Sequence, residues 1–269
     1  MVEFQHAIVA AMPDVVDDYP TAFAFGMASP MTIRQAVRKL EAEGVRHAVF
    51  LRLFAREDTF RAPADYIIGL RVEPPAHSHG GTPERVRTPI RFISTGGYQS
   101  DPLISEILKD RILEISRNPA QESVLLLSHG TGRDASNAAA LAAVEENIAD
   151  IEATLEEPFR DIRAINLRED WPDKRAEALR RISAYIEEAN RHGRAIVISN
   201  RLYGSGSYAE SLEGLDYVIN GQGLIPHPNF TRWVDETLQS ALEQLESGVG
   251  SVSTAPRTSQ HHLVGHAVD

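Results

Sequence analysis

The chain has no cysteine among its 269 residues. Disulfides, thiolate metal sites and cysteine nucleophiles are excluded, so any metal site must draw on His, Asp or Glu. The absence fits a reducing compartment. No apolar run approaches the roughly 20 residues that a membrane-spanning helix needs. The stretch from Met1 to Asp18 is acidic and lacks a basic leader region and a cleavage site, so no secretion signal is expected and the protein is read as cytoplasmic. Positive charge is scarce: 27 Lys and Arg stand against 38 Asp and Glu, a formal net charge of -11. No basic run is interleaved with aromatics, and neither nucleic acid nor membrane is expected as a partner. An anionic small molecule remains compatible with this charge where a cleft gathers arginines locally. Two catalytic motifs are also missing. The segment Ser128-His129-Gly130-Thr131-Gly132 lacks the Gly-x-Ser-x-Gly order of a hydrolase elbow. It also lacks the Lys-Ser/Thr pair of a phosphate loop.

What is present is a globular composition, 42% apolar and 24% charged, long enough for one large or two small domains. The chain contains a repeat. Phe92 to Asp110 aligns without gaps on Val218 to Glu236. Each copy reads as a strand, a glycine-bearing loop, an Asp-Pro or His-Pro step and a helix. Upstream, Arg52-Leu53-Phe54 falls on Arg201-Leu202-Tyr203. The second copy opens with the apolar run Val124 to Leu127 and a glycine loop tipped by His129, an element the first copy lacks.

Periodicity and turn signals predict helices over 4–18, 30–43, 103–115, 135–155, 172–189 and 231–245. Strands are predicted over 22–25, 48–54, 90–94, 124–127, 161–166, 195–199 and 217–220. Ser29 and Asp134 are expected to cap helices. Residues 71–87 read as a Pro-, Gly- and His-rich loop, and residues from 248 onward as a disordered tail. Strands alternating with long helices imply parallel sheets covered on both faces. The expected architecture is two α/β lobes, 1–118 and 119–247, around a cleft, the first lobe lacking its first strand. A strand edge left open by that loss would favour a homodimer.

In parallel sheets ligands bind beyond the carboxyl ends of the strands. Three such ends are expected to converge: 128–130, 201–203 and 221–227. His129 ends an apolar strand beside two glycines, where a ligand can approach closely, and a histidine there can bind a metal or accept a proton near neutral pH. Arg133 and Arg201 are candidates for holding ligand carboxylates, with Arg52, Arg56 and Arg61 at or near strand ends as well. Tyr208 and Glu210 are candidates for facing the cleft, Glu210 as the carboxylate opposite His129. His227 precedes Pro228 as Asp101 precedes Pro102, so it reads either as a helix-entry device or as a metal ligand. His77-Ser78-His79 and His261-His262 with His266 resemble metal ligands by composition.

A strand ending in Leu-Leu-x-x-His-Gly, a long helix, a strand ending near Leu-Tyr and a Gly-x-x-x-His-Pro step resemble the CbiX-type sirohydrochlorin cobaltochelatases. These are class II chelatases, and the likeness is to the long, two-lobed form, here N-terminally incomplete. The resemblance implies two flavodoxin-like lobes and insertion of Co2+ (or Fe2+ or Ni2+) into sirohydrochlorin without ATP, as in cobalamin and sirohaem biosynthesis. The metal is then substrate, the partner a tetrapyrrole, and no organic cofactor is required. His129 matches the family's first active-site histidine. The loop expected to carry the second holds Ser207 and Tyr208, or Asp58 and Thr59 in the first copy. There Glu210 or Asp58 would have to substitute. A non-catalytic metal- or tetrapyrrole-binding relative is the alternative reading.

Overall fold

A computed structural model describes residues 2–76 and 81–247. The chain forms two α/β lobes with parallel sheets flanked by helices. Its elements run α1 (Val2–Ala10), α2 (Pro30–Ala42), β1 (His47–Arg52), α3 (Arg61–Ile67), β2 (Arg91–Gly96) and α4 (Pro102–Leu113). They continue with β3 (Glu122–Ser128), α5 (Asp134–Thr154), β4 (Asp161–Asn166), α6 (Pro172–Arg191), β5 (Arg194–Ser199), the single turn α7 (Tyr208–Ser211) and α8 (Pro228–Glu246). The chain divides into two compact units, each discontinuous in sequence. Among the described residues, one comprises 2–21, 51–59 and 95–243; the other comprises 22–50, 60–76, 81–94 and 244–247.

The larger unit is built on a parallel sheet in the order β4-β3-β5. Central strand β3 is buried along its length, which explains its uninterrupted apolar run. Its register pairs Leu127 with Ile165 of β4 and Leu126 with Ile198 of β5. From β3 the chain crosses through α5 to β4 on one side, then through α6 to β5 on the other. Right-handed crossovers running in opposite directions along a sheet place their helices on opposite faces. Accordingly Ile182 and Ile186 of α6 cluster with Leu125 and Leu127, while α4 and α5 pack together.

Helix α4, assigned by the sequence reading to the first half, packs on α5 and β5. Its buried residues (Leu103, Ile104, Ser105, Ile107, Leu108, Arg111 and Ile112) cover more than half of its circumference, so it requires neighbours on more than one side. A line of buried polar contacts ties it down. Asn200 Nδ2 donates to Gln99 Oε1 at 3.1 Å, Gln99 Nε2 to Asn147 Oδ1 at 2.5 Å, and Asn147 Nδ2 to Ser105 Oγ at 2.9 Å.

The smaller unit buries Ile33 and Val37 of α2, Ile67 of α3, and Val86, Ile90 and Phe92 in one cluster. Strands β1 and β2 form a two-stranded sheet.

Several expectations are corrected. The helix expected over 4–18 breaks at Pro13 into α1 and a 3₁₀ turn, Asp14–Asp18, because proline cannot donate the helical hydrogen bond. The segment 22–25 joins no sheet among the described residues. Residues 217–220 contribute a single parallel bridge, Val218 to Ile196, rather than a strand. Helix α3 was not expected; its Pro63 sits in the first turn, where proline is tolerated. Ser29 occupies the cap position of α2 without a side-chain bond. His77 and His79, His261, His262 and His266, and the expected disordered tail lie outside the described residues.

Candidate functional site

The loops after β3 and β4 stand side by side at the carboxyl ends of neighbouring parallel strands, the end of a parallel sheet where ligands bind. The Ser128–Asn166 register brings the next residues of both strands together, and the Arg168 amide donates to the His129 carbonyl at 2.7 Å. His129 from the β3 loop therefore meets Glu169 and Asp170 from the β4 loop.

The His129 ring is half exposed, with Nδ1 at 2.8 Å from Glu169 Oε2 and Nε2 at 3.2 Å from Asp170 Oδ2. Glu169 is largely buried and carries three contacts. Besides His129, Arg201 Nη1 donates to Oε2 at 2.7 Å and Ser207 Oγ donates to Oε1 at 3.0 Å. These donors, His129 foremost, hold the Glu169 carboxyl down at about 2 against the cost of burial. The same bond with Glu169 raises the His129 pKa, opposed by burial. Glu169 thus fixes the ring orientation, as carboxylates do for metal-binding histidines, and leaves Nε2 facing the exposed Asp170. Such an arrangement can hold a cation or exchange a proton at Nε2.

The loop carrying His129 is itself clamped. Arg168, in the left-handed region at φ 58°, donates through Nε to the Thr131 carbonyl at 2.7 Å. Its Nη2 reaches the Gly132 carbonyl at 2.6 Å and Asp134 Oδ1 at 2.7 Å. Asn137 Oδ1 accepts from the Thr131 amide at 3.1 Å and from Asn166 Nδ2 at 3.0 Å. Gly130, at φ 79°, presses on Asn166 and Asn137, where a Cβ would come within 2.7 Å. Trp171 closes the far side, its ring centroid 6.2 Å from that of His129.

Of the expected site residues, His129 and Arg201 meet through Glu169. Tyr208 lies under the Arg201 guanidinium, 5.4 Å from ring centroid to carbon. It is fully buried, in one core cluster with Ile182 and Ile186 of α6 and Val197 of β5, and so does not face a ligand. Glu210 is exposed on α7; the carboxylate opposite His129 is Glu169, one parallel strand away. Arg133 is exposed at the start of α5, where it occupies the cap position expected for Asp134. Asp134 instead stands in the first turn and binds Arg168 and Lys174. Arg52 is buried, and its Nη1 reaches the Glu57 and Thr59 carbonyls. It therefore does not share the role of Arg201 despite its equivalent repeat position. Arg56 pairs with Asp58, and Arg61 with Asp65.

His227 lies elsewhere. Its Nδ1 accepts from the Asn229 amide at 3.2 Å and its Nε2 stands 3.3 Å from Asp110. In the first copy Asp101 accepts from the Leu103 amide at 2.9 Å, so both repeat positions cap a helix. Burial, with Arg111 nearby, lowers the His227 pKa.

Sequence reasoning missed Arg168, Glu169, Asp170 and Trp171. The signal was available: they follow a predicted parallel strand, β4, whose carboxyl end belongs to the same row as the ends of β3 and β5.

This is a doubly wound α/β lobe with a histidine-carboxylate site at the carboxyl end of its sheet. Among solved structures it is similar to SirB from Bacillus subtilis with Fe3+, at 10% identity and a TM-score of 0.56, over 80% of this chain and 79% of that one. That likeness shows the fold. The chain also matches DR2241 from Deinococcus radiodurans, described as a multi-domain protein with structural similarity to chelatases. There the identity is 15% and the TM-score 0.46, over 81% of this chain but 52% of that one. No protein-family model matches the chain, and no curated protein matches it.

Proposed function

We propose that the chain inserts a divalent cation, Co2+ or alternatively Fe2+ or Ni2+, into sirohydrochlorin without ATP. The observation that carries this reading is the half-exposed His129 held by Glu169 at a strand end, in a fold shared with SirB. Metal insertion removes protons from two pyrrole nitrogens, so it needs a base beside the ring and a ligand that delivers the cation and then releases it. Neutral imidazole serves both needs when Nδ1–H is engaged by a carboxylate and Nε2 presents its lone pair. The carboxylates of the tetrapyrrole would be met by Arg133 and by Arg201, which would exchange Glu169 for the ligand. We read 1–118 and 119–247 as the two chelatase-like halves of this repeat.

A second reading is a tetrapyrrole- or metal-binding protein without catalysis. Ser207 stands where the family's second histidine is expected, and no group of three or more His, Asp or Glu suited to a metal occurs among the described residues. One experiment separates the two. Purified protein is mixed with sirohydrochlorin and Co2+ and the tetrapyrrole absorbance is followed. The enzyme reading expects metallation faster than the protein-free rate, falling at least about tenfold in His129→Ala. Tight binding of sirohydrochlorin with metallation at the protein-free rate establishes the second reading instead.

A further inference from the structure

We propose that the segment 261–269 docks on the free edge of β1 in the same chain, adding a parallel strand to the β1–β2 sheet. Among the described residues β1 has one strand neighbour, β2. Its repeat equivalent β5 is flanked twice, by β3 on one side and by the Val218 bridge on the other. The difference shows in burial. Every residue of β5 after the first is buried, whereas Ala48, Val49, Phe50 and Leu51 of β1 are each partly exposed. A strand open on one side presents a row of backbone donors and acceptors to a further strand. A sheet of two strands also gains stability from a third.

The sequence of the segment fits that place. Leu263-Val264-Gly265-His266-Ala267 repeats the order of Leu126-Leu127-Ser128-His129-Gly130: two apolar residues, a small one, a histidine and a small one. In the second copy Leu126 stands opposite Ile198 of β5, and Leu127 opposite Ser199. Arg201 corresponds to Arg52, so Ile198 and Ser199 correspond to Val49 and Phe50. The register carried across the repeat sets Leu263 beside Val49 and Val264 beside Phe50. The connection is long enough. Residues 244–247, at the end of α8, belong to the same compact unit as Val49 and Phe50. At about 3.3 Å per extended residue, 248–262 reach about 50 Å, more than the width of a small domain.

Nothing in this assignment depends on the metallation reaction, so its test is independent of that assay. The chain has no cysteine, and Val49→Cys with Leu263→Cys supplies the only two thiols. The full chain is treated with a short bismaleimide and the closed product is read by mass spectrometry. Val49→Cys with Thr258→Cys, on a tether of similar length, measures random collision. Closure through position 263 should be at least tenfold faster. Equal rates would overturn the proposal, and a product joining two chains would overturn it by giving the edge to a second copy. Hydrogen exchange of the full chain supplies a second reading. Val264→Pro cannot donate to a ladder, so amides within 47–51 should exchange at least tenfold faster than in the parent while those of β3 stay unchanged. Unchanged exchange at 47–51 would likewise overturn the proposal.

Discussion

His129 is held between two carboxylates of different character, one largely buried and shared, the other exposed. This sets opposite pH limits on the same contact. The folded pKa of Glu169 lies below its ordinary value, at about 2. Its contribution to stability is therefore complete above about 4.5 and is lost as pH falls toward 2. The folded pKa of His129 lies above its ordinary value. That contribution is complete below about 6.5 and is lost as pH rises through the raised value. The pair is therefore most stabilising between about pH 4.5 and 6.5. Glu169→Gln should return the His129 pKa toward 6.5, read from its ring proton shifts across a pH titration by NMR. The substitution should also cost about 1–2 kcal/mol in denaturant unfolding, because Arg201 loses its carboxylate. His129 was legible in the sequence because a histidine between an apolar strand and a glycine loop has few structural reasons to be there. Glu169 was not, since an acidic Arg-Glu-Asp step before a proline-started helix reads equally well as a solvated turn.

At the scale of elements, close approach decides what the loops can be. Gly132 packs against the Trp171 indole, where a Cβ would come within 2.3 Å. Gly132→Ala must push the ring away, so a red-shifted Trp171 emission and a loss of about 1–3 kcal/mol are expected by fluorescence and thermal melting. The spacing of the repeat was legible, and the capping geometry explains why it tolerates different residues. A carboxylate at 101 and an imidazole at 227 each offer one acceptor to the amide two residues on. Less legible were elements whose formation depends on partners. Residues 22–25 and 217–220 have strand-like composition, but composition supplies no ladder; the first joins no sheet among the described residues and the second makes one bridge.

At the scale of the whole molecule, charge sets the partners. With a net charge of -11, the chain should bind an anion exchanger at pH 7 and leave duplex DNA unshifted at low salt in a gel assay; retardation there would contradict the charge argument. No helix among the described residues is long and apolar enough to cross a membrane. The sequence by itself determined the α/β class, the alternation of elements and the place of His129, because hydrophobic period and glycine position are local properties of the chain. Tertiary structure alone decided which side chains surround that imidazole. Strands β3 and β4 are joined through a 21-residue helix, and only their pairing in register, with crossovers to opposite faces, carries Glu169 and Asp170 to the two ring nitrogens while Glu210 stays in solvent.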